Sequence, residues 1–202
     1  MSYIYILAAL AGLAIFFALR FYLNRSWQKG WLIGPFVNGK NHSTNMPLRP
    51  KMTPTGWSIA ITSDSKVDAV LTDCNGISGT IRAKYRIIGS AVPFEAPDSP
   101  PLISLYFQRK GDDWTAKGDK QYYRWYSGQI AAFTEGDGEL VIPLTPDLWG
   151  SVFGGNGAAN QERFAEAMKE AHRVGIVFGW SAGRSHGVTG NAVFELLEWS
   201  VG

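Results

Sequence analysis

A strict alternation of apolar and basic side chains between residues 81 and 87 constrains the fold of this chain more than any other feature. Apolar or aromatic residues occupy every second position, and basic residues fill the positions between them (Ile81, Ala83, Tyr85, Ile87; Arg82, Lys84, Arg86). Because successive side chains of a strand point to opposite faces, this pattern predicts a half-buried β-strand. Its basic side is expected to be a face exposed to solvent.

Short apolar runs separated by Gly-rich turns continue this pattern to the end of the chain. They predict strands at residues 57–61, 102–109, 121–127, 139–144, 173–180 and 192–201. The last two runs are apolar on both faces, which favours central positions in a sheet. One predicted helix interrupts the series after Asn160, with an apolar stripe along one side (Phe164, Ala167, Met168, Ala171). Residues 57–202 are therefore predicted to form an all-β antiparallel jelly-roll sandwich with one short helix.

The N-terminal stretch from Tyr3 to Leu23 is apolar apart from Arg20. A helix of this length spans about 30 Å, the hydrocarbon thickness of a bilayer. No basic residue precedes the stretch and no small-residue cleavage pattern ends it, which disfavours a cleavable signal peptide. Residues 1–24 are therefore predicted to be a single transmembrane anchor. An irregular juxtamembrane segment rich in Gly and Pro is expected at residues 25–56.

Charge predicts the orientation of this anchor. Basic residues follow the apolar stretch, at Arg20, Arg25 and Lys29, and none precedes it. The positive-inside rule then favours the cytoplasmic side of the cell membrane for the C-terminal domain. The periplasmic side stays open as the alternative. The one cysteine, Cys74, cannot form an internal disulfide, which fits a reducing compartment.

Composition and motifs argue against several classes of function. A formal net charge of +2 is too small to indicate nucleic-acid binding. The sequence has no phosphate loop, no nucleophile motif and no paired metal ligands at a known spacing, so we expect no cofactor, no metal and no catalytic residue. The acidic run at residues 135–139 has oxygen ligands that suit calcium, but it is more typical of a hairpin turn.

The densest aromatic group of the chain gives the candidate ligand site. Trp114, Tyr123 and Trp125 supply flat rings for the C–H face of a sugar, and Arg124 can bond its hydroxyls. On a strand, Tyr123 and Trp125 would share one face and Arg124 the other, so one of the two sets is expected to lie in the core.

A second candidate feature is the GRSHG loop, which contains Arg184 and His186 between glycines. Glycine permits tight backbone turns and close approach of a ligand. The two side chains could bind hydroxyls or a carboxylate, whereas the alternative is a polar hairpin tip. The complete set of candidate ligand-binding residues is Trp114, Tyr123, Arg124, Trp125, Arg184 and His186.

The C-terminal stretch VGIVFGWSAGRSHGVTGNAVFELLEWSV resembles the closing strands of galactose-binding-like jelly rolls, which include carbohydrate-binding modules. The segments GWSIAI, YYRWYS and ELVIPL are consistent with the same family. The resemblance covers residues 57–202 and consists of strand rhythm and glycines. It implies binding of glycans or proteins, or the role of an accessory domain of an enzyme. It offers no motif from which a set of sugar ligands can be transferred.

Three functions follow from these features. The first is a membrane-anchored, non-catalytic domain that recognises a carbohydrate. The second is an accessory or structural subunit of a membrane complex, indicated by small residues in the anchor and by the apolar stretch 31–37. The third is a hydrolase of envelope polymers. The expected partners are membrane lipid along residues 3–23, a glycan ligand, and membrane proteins that contact the anchor.

Overall fold

Residues 30–202 are described by a computed structural model, in which Trp31–Gly202 form one compact unit. This unit is an antiparallel β-sandwich with one short α-helix. The strands are β1 (Leu32–Gly34), β2 (Phe36–Val37), β3 (Lys40–Asn41), β4 (Lys51–Met52), β5 (Trp57–Ile61), β6 (Ala69–Asp73), β7 (Thr80–Pro93), β8 (Leu102–Arg109), β9 (Arg124–Ala132), β10 (Gly136–Pro143), β11 (Trp149–Ser151), β12 (Ala171–Gly179) and β13 (Val188–Val201). The α-helix is α1 (Gln161–Lys169), and short 3-10 helices cover Gly118–Tyr122, Pro146–Leu148 and Gly157–Asn160.

The predicted transmembrane helix at residues 3–23 lies outside the described residues. Between residues 30 and 202, no helix has the length and apolar character needed to cross a bilayer.

Two sheets make up the sandwich. The six-stranded sheet has the order β1-β6-β12-β8-β9-β11, and the five-stranded sheet has the order β10-β7-β13-β5-β4. A separate hairpin pairs β2 with β3. The strands β12 and β13 lie inside their sheets, which confirms the central positions predicted from their two apolar faces. β12 pairs with β8 and β13 pairs with β7, and these long antiparallel pairings fix the register of each sheet.

The hydrophobic core lies between the inner faces of the two sheets. Phe178 of β12 and Phe194 of β13 meet across this space with ring centroids 5.2 Å apart. Phe164 of α1 contacts Phe107 and Trp125 on the inner face of the six-stranded sheet, at 5.6 and 5.0 Å. Burial of apolar surface stabilises such a core by about 25 cal/mol per Å².

The predicted alternation in β7 is confirmed. Its apolar side chains are buried, and its basic side chains are exposed on the outer side of the five-stranded sheet. Arg82 pairs with Glu139 of β10 at 3.0 Å, and Arg86 pairs with Asp137 at 2.6 Å. Part of the acidic run at residues 135–139 is therefore a strand that pairs with the basic side of β7.

The compact unit begins at Trp31, whereas the sequence predicted that the sandwich begins at residue 57. Trp31 and Ile33 are 1% and 0% exposed, and β1 pairs with β6 at the edge of the six-stranded sheet. The Trp31 ring lies 5.2 Å from the ring of Trp57. Aromatic packing therefore draws part of the predicted juxtamembrane segment into the domain.

The strand predicted at residues 121–127 begins only at Arg124. The preceding residues form a 3-10 helix, Gly118–Tyr122, so Tyr123 lies just before the strand. As a consequence, the alternation predicted for this segment holds from Arg124 onward but does not extend to Tyr123.

Candidate functional site

The candidate site lies on the outer face of the six-stranded sheet, the face opposite to Phe107 and Trp125. The register places Gly175, Tyr106 and Tyr126 in one row across β12, β8 and β9. The next row contains Arg173, Gln108 and Arg124. The tyrosine row belongs to a cluster of buried side chains, namely Ala69, Leu71, Tyr106, Tyr126 and Val177. Trp114 and Val152 pack against this cluster.

Trp114 comes from the loop that follows β8 and covers this face. Its ring stacks near Tyr106 with centroids 6.3 Å apart, and the Arg124 guanidinium carbon lies 4.3 Å from its ring centre. Tyr106 and Arg124 belong to the sheet and are 0% and 5% exposed, whereas Trp114 is half-buried. The exposed part of the Trp114 ring therefore faces away from the sheet.

Asp112 holds Trp114 in this position. Trp114 has φ 65°, a left-handed conformation that is unfavourable for a bulky residue. Its backbone N–H donates to Asp112 Oδ1 at 3.0 Å, while Asp112 Oδ2 lies 2.9 Å from Arg124 Nε. Gln108 Nε2 also donates to Asp112 Oδ2 at 2.9 Å. Burial raises the pKa of Asp112, although Arg124 and these donors act in the opposite direction.

A cleft of about 270 Å³ opens beside the Trp114 ring, and we call it the Trp114 cleft. Its lining combines the indole ring of Trp114 with charged and polar side chains from several loops and from the start of β9. The lining residues are Pro35, His42, Lys66, Asp68, Glu95, Trp114, Arg124, Ser185 and His186. Its volume is slightly below the range of about 300–1,000 Å³ that is typical of small-molecule sites. It can therefore enclose a small unit, such as one sugar ring of a longer ligand.

Ion pairs organise the charges of the Trp114 cleft. Lys66 Nζ lies 3.1 Å from Asp68, and His186 Nδ1 lies 2.8 Å from Glu95. Asp68 is 3% exposed, and its burial raises its pKa to about 6, although Lys66 and His186 lower it. Gly187 has φ 86°, and a Cβ there would lie 2.3 Å from Asp68 Oδ1, so glycine is required beside this carboxylate.

The raised pKa of Asp68 gives a testable pH dependence of stability. Since its pKa of about 6 in the folded chain exceeds the ordinary 3.8, the folded state binds the extra proton more tightly. This contribution is complete below pH 4 and is lost as the pH rises through 6. Wild type is therefore expected to lose roughly 2–3 kcal/mol relative to Asp68→Asn between pH 4 and pH 7. Urea denaturation at both pH values measures the difference.

Asp98→Asn is the control for this measurement, because Asp98 is exposed on the loop after β7. The same pH series on Asp98→Asn controls for the loss of an exposed carboxyl group. If the difference in unfolding free energy between wild type and Asp68→Asn does not change with pH, the pKa of the Asp68 carboxyl is the same in the folded and the unfolded chain, and the prediction is wrong.

The structure brings together three of the six predicted ligand residues. Trp114, Arg124 and His186 line the Trp114 cleft. Arg184 lies beside it in the same loop as His186, with its guanidinium carbon 5.9 Å from the ring centre of Tyr126. Ser185, between them in sequence, bonds Tyr126 through their hydroxyls at 3.2 Å. Binding by these residues stays a prediction.

The other two predicted residues lie elsewhere. Trp125 is 0% exposed, and its Nε1 donates to the Tyr122 carbonyl at 2.7 Å. The expectation that one of the two faces is core therefore holds for Trp125, while Arg124 on the opposite face is almost equally buried. Tyr123 contacts the Arg109 guanidinium, whose carbon lies 4.5 Å from its ring centre, and does not line the cleft.

Sequence reasoning missed most of the charged lining. Lys66 and Asp68 precede β6, and Glu95 follows β7, so long-range pairing of the strands brings them together. His42 belongs to the segment 25–56, which the sequence predicts to be irregular, and its backbone N–H donates to the carbonyl of Pro35 at 2.9 Å. Both residues line the cleft. The only sequence signal was Gly187, next to His186, which makes room for the Asp68 carboxylate.

No family model and no curated protein matches the chain. Among solved structures, a mutant of Xylanase10C from Cellvibrio japonicus in complex with xylopentaose is similar with a TM-score of 0.44 and 12% identity. That match covers 87% of this chain and 27% of the other, so the chain spans about a quarter of its length. A xylan-binding module, CBM15, is similar with a TM-score of 0.38 and 13% identity, over 83% of this chain and 90% of the module.

Proposed function

We propose that the chain is a non-catalytic carbohydrate-binding protein and that the Trp114 cleft is its binding site. The observation that carries this proposal is the Trp114 ring, which is held over the sheet by Asp112 and Arg124 and exposes part of its surface to a polar cleft. A sugar ring has an apolar C–H face and a rim of hydroxyls. An aromatic plane beside charged donors and acceptors fits both parts.

The Trp114→Ala variant tests the proposal. The full-length chain, purified in mild detergent, is first applied to an array of neutral and acidic oligosaccharides, and the best ligand is then titrated. Trp114→Ala is expected to weaken its binding by about tenfold or more, because stacking on the indole is lost. Phe153→Ala is the matched control, since Phe153 is 72% exposed and does not line the cleft.

Two outcomes would contradict this assignment. Absence of any signal on the array would remove carbohydrate binding as the function. Equal weakening by Phe153→Ala and Trp114→Ala would move the site away from the cleft.

The same titration distinguishes binding from hydrolysis. The cleft contains two carboxyl groups, Asp68 and Glu95, which is the residue type that glycoside hydrolysis requires. Each is already engaged by a neighbouring side chain, Asp68 by Lys66 and Glu95 by the ring of His186, and this favours a role in shaping the cleft. Release of reducing sugar ends during incubation would replace the binding proposal with a hydrolase.

We further propose that residues 3–23 anchor this domain to the cell membrane by a single helix. The apolar length of that stretch supports the proposal. The basic residues Arg25 and Lys29 favour the cytoplasmic side for the domain, and a reporter fused after residue 202 measures the side directly. We also propose that the strands of the sandwich are connected as in a jelly roll. Stoichiometric partners found on purification in mild detergent would favour the accessory-subunit hypothesis.

A further inference from the structure

We infer that the Trp114 cleft selects carbohydrates that carry a carboxylate group, and that the Arg184 guanidinium binds this group. The inference rests on the proposed function and adds the class of ligand to it. Its basis is a comparison of the cationic side chains around the cleft: which of them pair with a carboxylate of the protein, and which one has no such partner among residues 30–202.

Most cations at the cleft have a carboxylate partner. Lys66 pairs with Asp68 at 3.1 Å, and Arg124 Nε lies 2.9 Å from Asp112. The ring of His186 is 2.8 Å from Glu95. In the Lys66–Asp68 and Arg124–Asp112 pairs the opposite charges offset each other, so these two pairs give the cleft polar contacts for hydroxyls but little net attraction for an anion.

Arg184 differs from these cations. Among residues 30–202 its guanidinium makes no ion pair and no hydrogen bond, and its Nη1 atom is buried. Buried donors in folded proteins almost always have an acceptor. The residue as a whole is only partly buried, so a ligand that supplies an acceptor to the guanidinium would complete the site, and a negatively charged acceptor would be bound most strongly.

The absence of a side chain at Gly150 leaves room for Arg184 at the β11 edge of the six-stranded sheet. Gly150 of β11 lies opposite Tyr126 in the register, and a Cβ at Gly150 would come within 3.5 Å of Arg184 Nη1. The guanidinium also lies over the Tyr126 ring, whose hydroxyl bonds Ser185 in the cleft lining. The Arg184 guanidinium therefore lies beside Tyr126 and Gly150, and the next residue, Ser185, belongs to the lining of the cleft.

The geometry favours a carboxylate over a doubly charged phosphate. Arg184 is a single planar fork, and it matches the two oxygens of a carboxylate. The other cations that line the cleft, Lys66 and Arg124, already face carboxylates. One negative charge per bound unit therefore suits the site, as in an oligosaccharide that contains a uronic acid.

The test compares an acidic oligosaccharide with its methyl ester, which removes the charge and keeps the sugar. The uronate-bearing oligosaccharide is the best acidic ligand from the array, titrated into the full-length chain. Wild type is expected to bind the acid about tenfold more tightly than the ester, and this preference should weaken as salt is added. Arg184→Gln should bring the ratio of the two affinities close to one.

Arg82→Gln is the matched control, because it removes the same charge from the outer side of the other sheet. The thermal midpoint of each variant shows that it is folded. Equal binding of acid and ester by wild type, or an unchanged ratio in Arg184→Gln, would overturn the role of Arg184. Neutral oligosaccharides would still bind in that case if the proposed function is correct, whereas failure of every oligosaccharide to bind would reject both.

Discussion

Replacing Asp112 with alanine is expected to lower the free energy of unfolding by about 3–5 kcal/mol. The side chain of Asp112 is 0% exposed, and the side chain of Arg124, its partner at 2.9 Å, is 6% exposed. Alanine would leave the Arg124 cation buried without a counter-charge, and it would remove the acceptors of Gln108 and of the Trp114 backbone. Urea denaturation of the full-length chain measures this loss.

The same substitution should also remove carbohydrate binding, because Asp112 fixes the loop that presents Trp114. The backbone of Trp114 has φ 65°, so it needs the Asp112 oxygen to remain in that conformation. A loss of affinity in Asp112→Ala at temperatures where the protein is folded would support this positioning role. Unchanged affinity in the folded variant would show that the Trp114 loop holds its shape without Asp112.

Asp113→Ala is the control for this experiment. Asp113 is the next residue along the chain, but its side chain is exposed and pairs with Lys120 at the surface. Exposed ion pairs contribute little to stability, so this variant should unfold close to the wild-type midpoint. A large effect at Asp113 would mean that the whole loop, and not the buried pair, determines the stability.

Much of the sandwich could be predicted from the sequence because its strands follow a local rule. The alternation from Ile81 to Ile87 depends only on which face of one strand is buried, and the structure confirms it. The contribution of Trp31 could not be predicted in this way. Its ring is buried by Trp57 and Trp199, at 5.2 and 5.1 Å, so its place depends on contacts between distant parts of the chain.

The candidate site was predicted in part for the same reason. Trp114 and Arg124 are close in sequence, so local aromatic density identified them. The 3-10 helix Gly118–Tyr122 occupies the first part of the predicted strand, so Tyr123 lies outside it. An alternation of side chains along the sequence does not reveal such a helix. Asp68 enters the cleft through pairing of β6 with β12, a long-range contact without a sequence signature.

Trp125→Ala is expected to destabilise the domain by about 3–5 kcal/mol and to leave carbohydrate affinity unchanged in the folded protein. The Trp125 ring is completely buried and lies 5.0 Å from Phe164, so alanine would create a large cavity under α1. It faces the inner side of the sheet, away from the Trp114 cleft.

Trp114→Ala is the matched opposite case, since it removes the same side chain from the outer side of the same sheet. We expect a smaller loss of stability, because Trp114 is only half-buried, together with a loss of binding. Urea denaturation and ligand titration on both variants separate the two roles. Trp125 lies on the inner face of the sheet, opposite to the Trp114 cleft. A folded Trp125→Ala protein that loses affinity as strongly as Trp114→Ala would therefore show that binding depends on the packing of the core and not on the outer face alone.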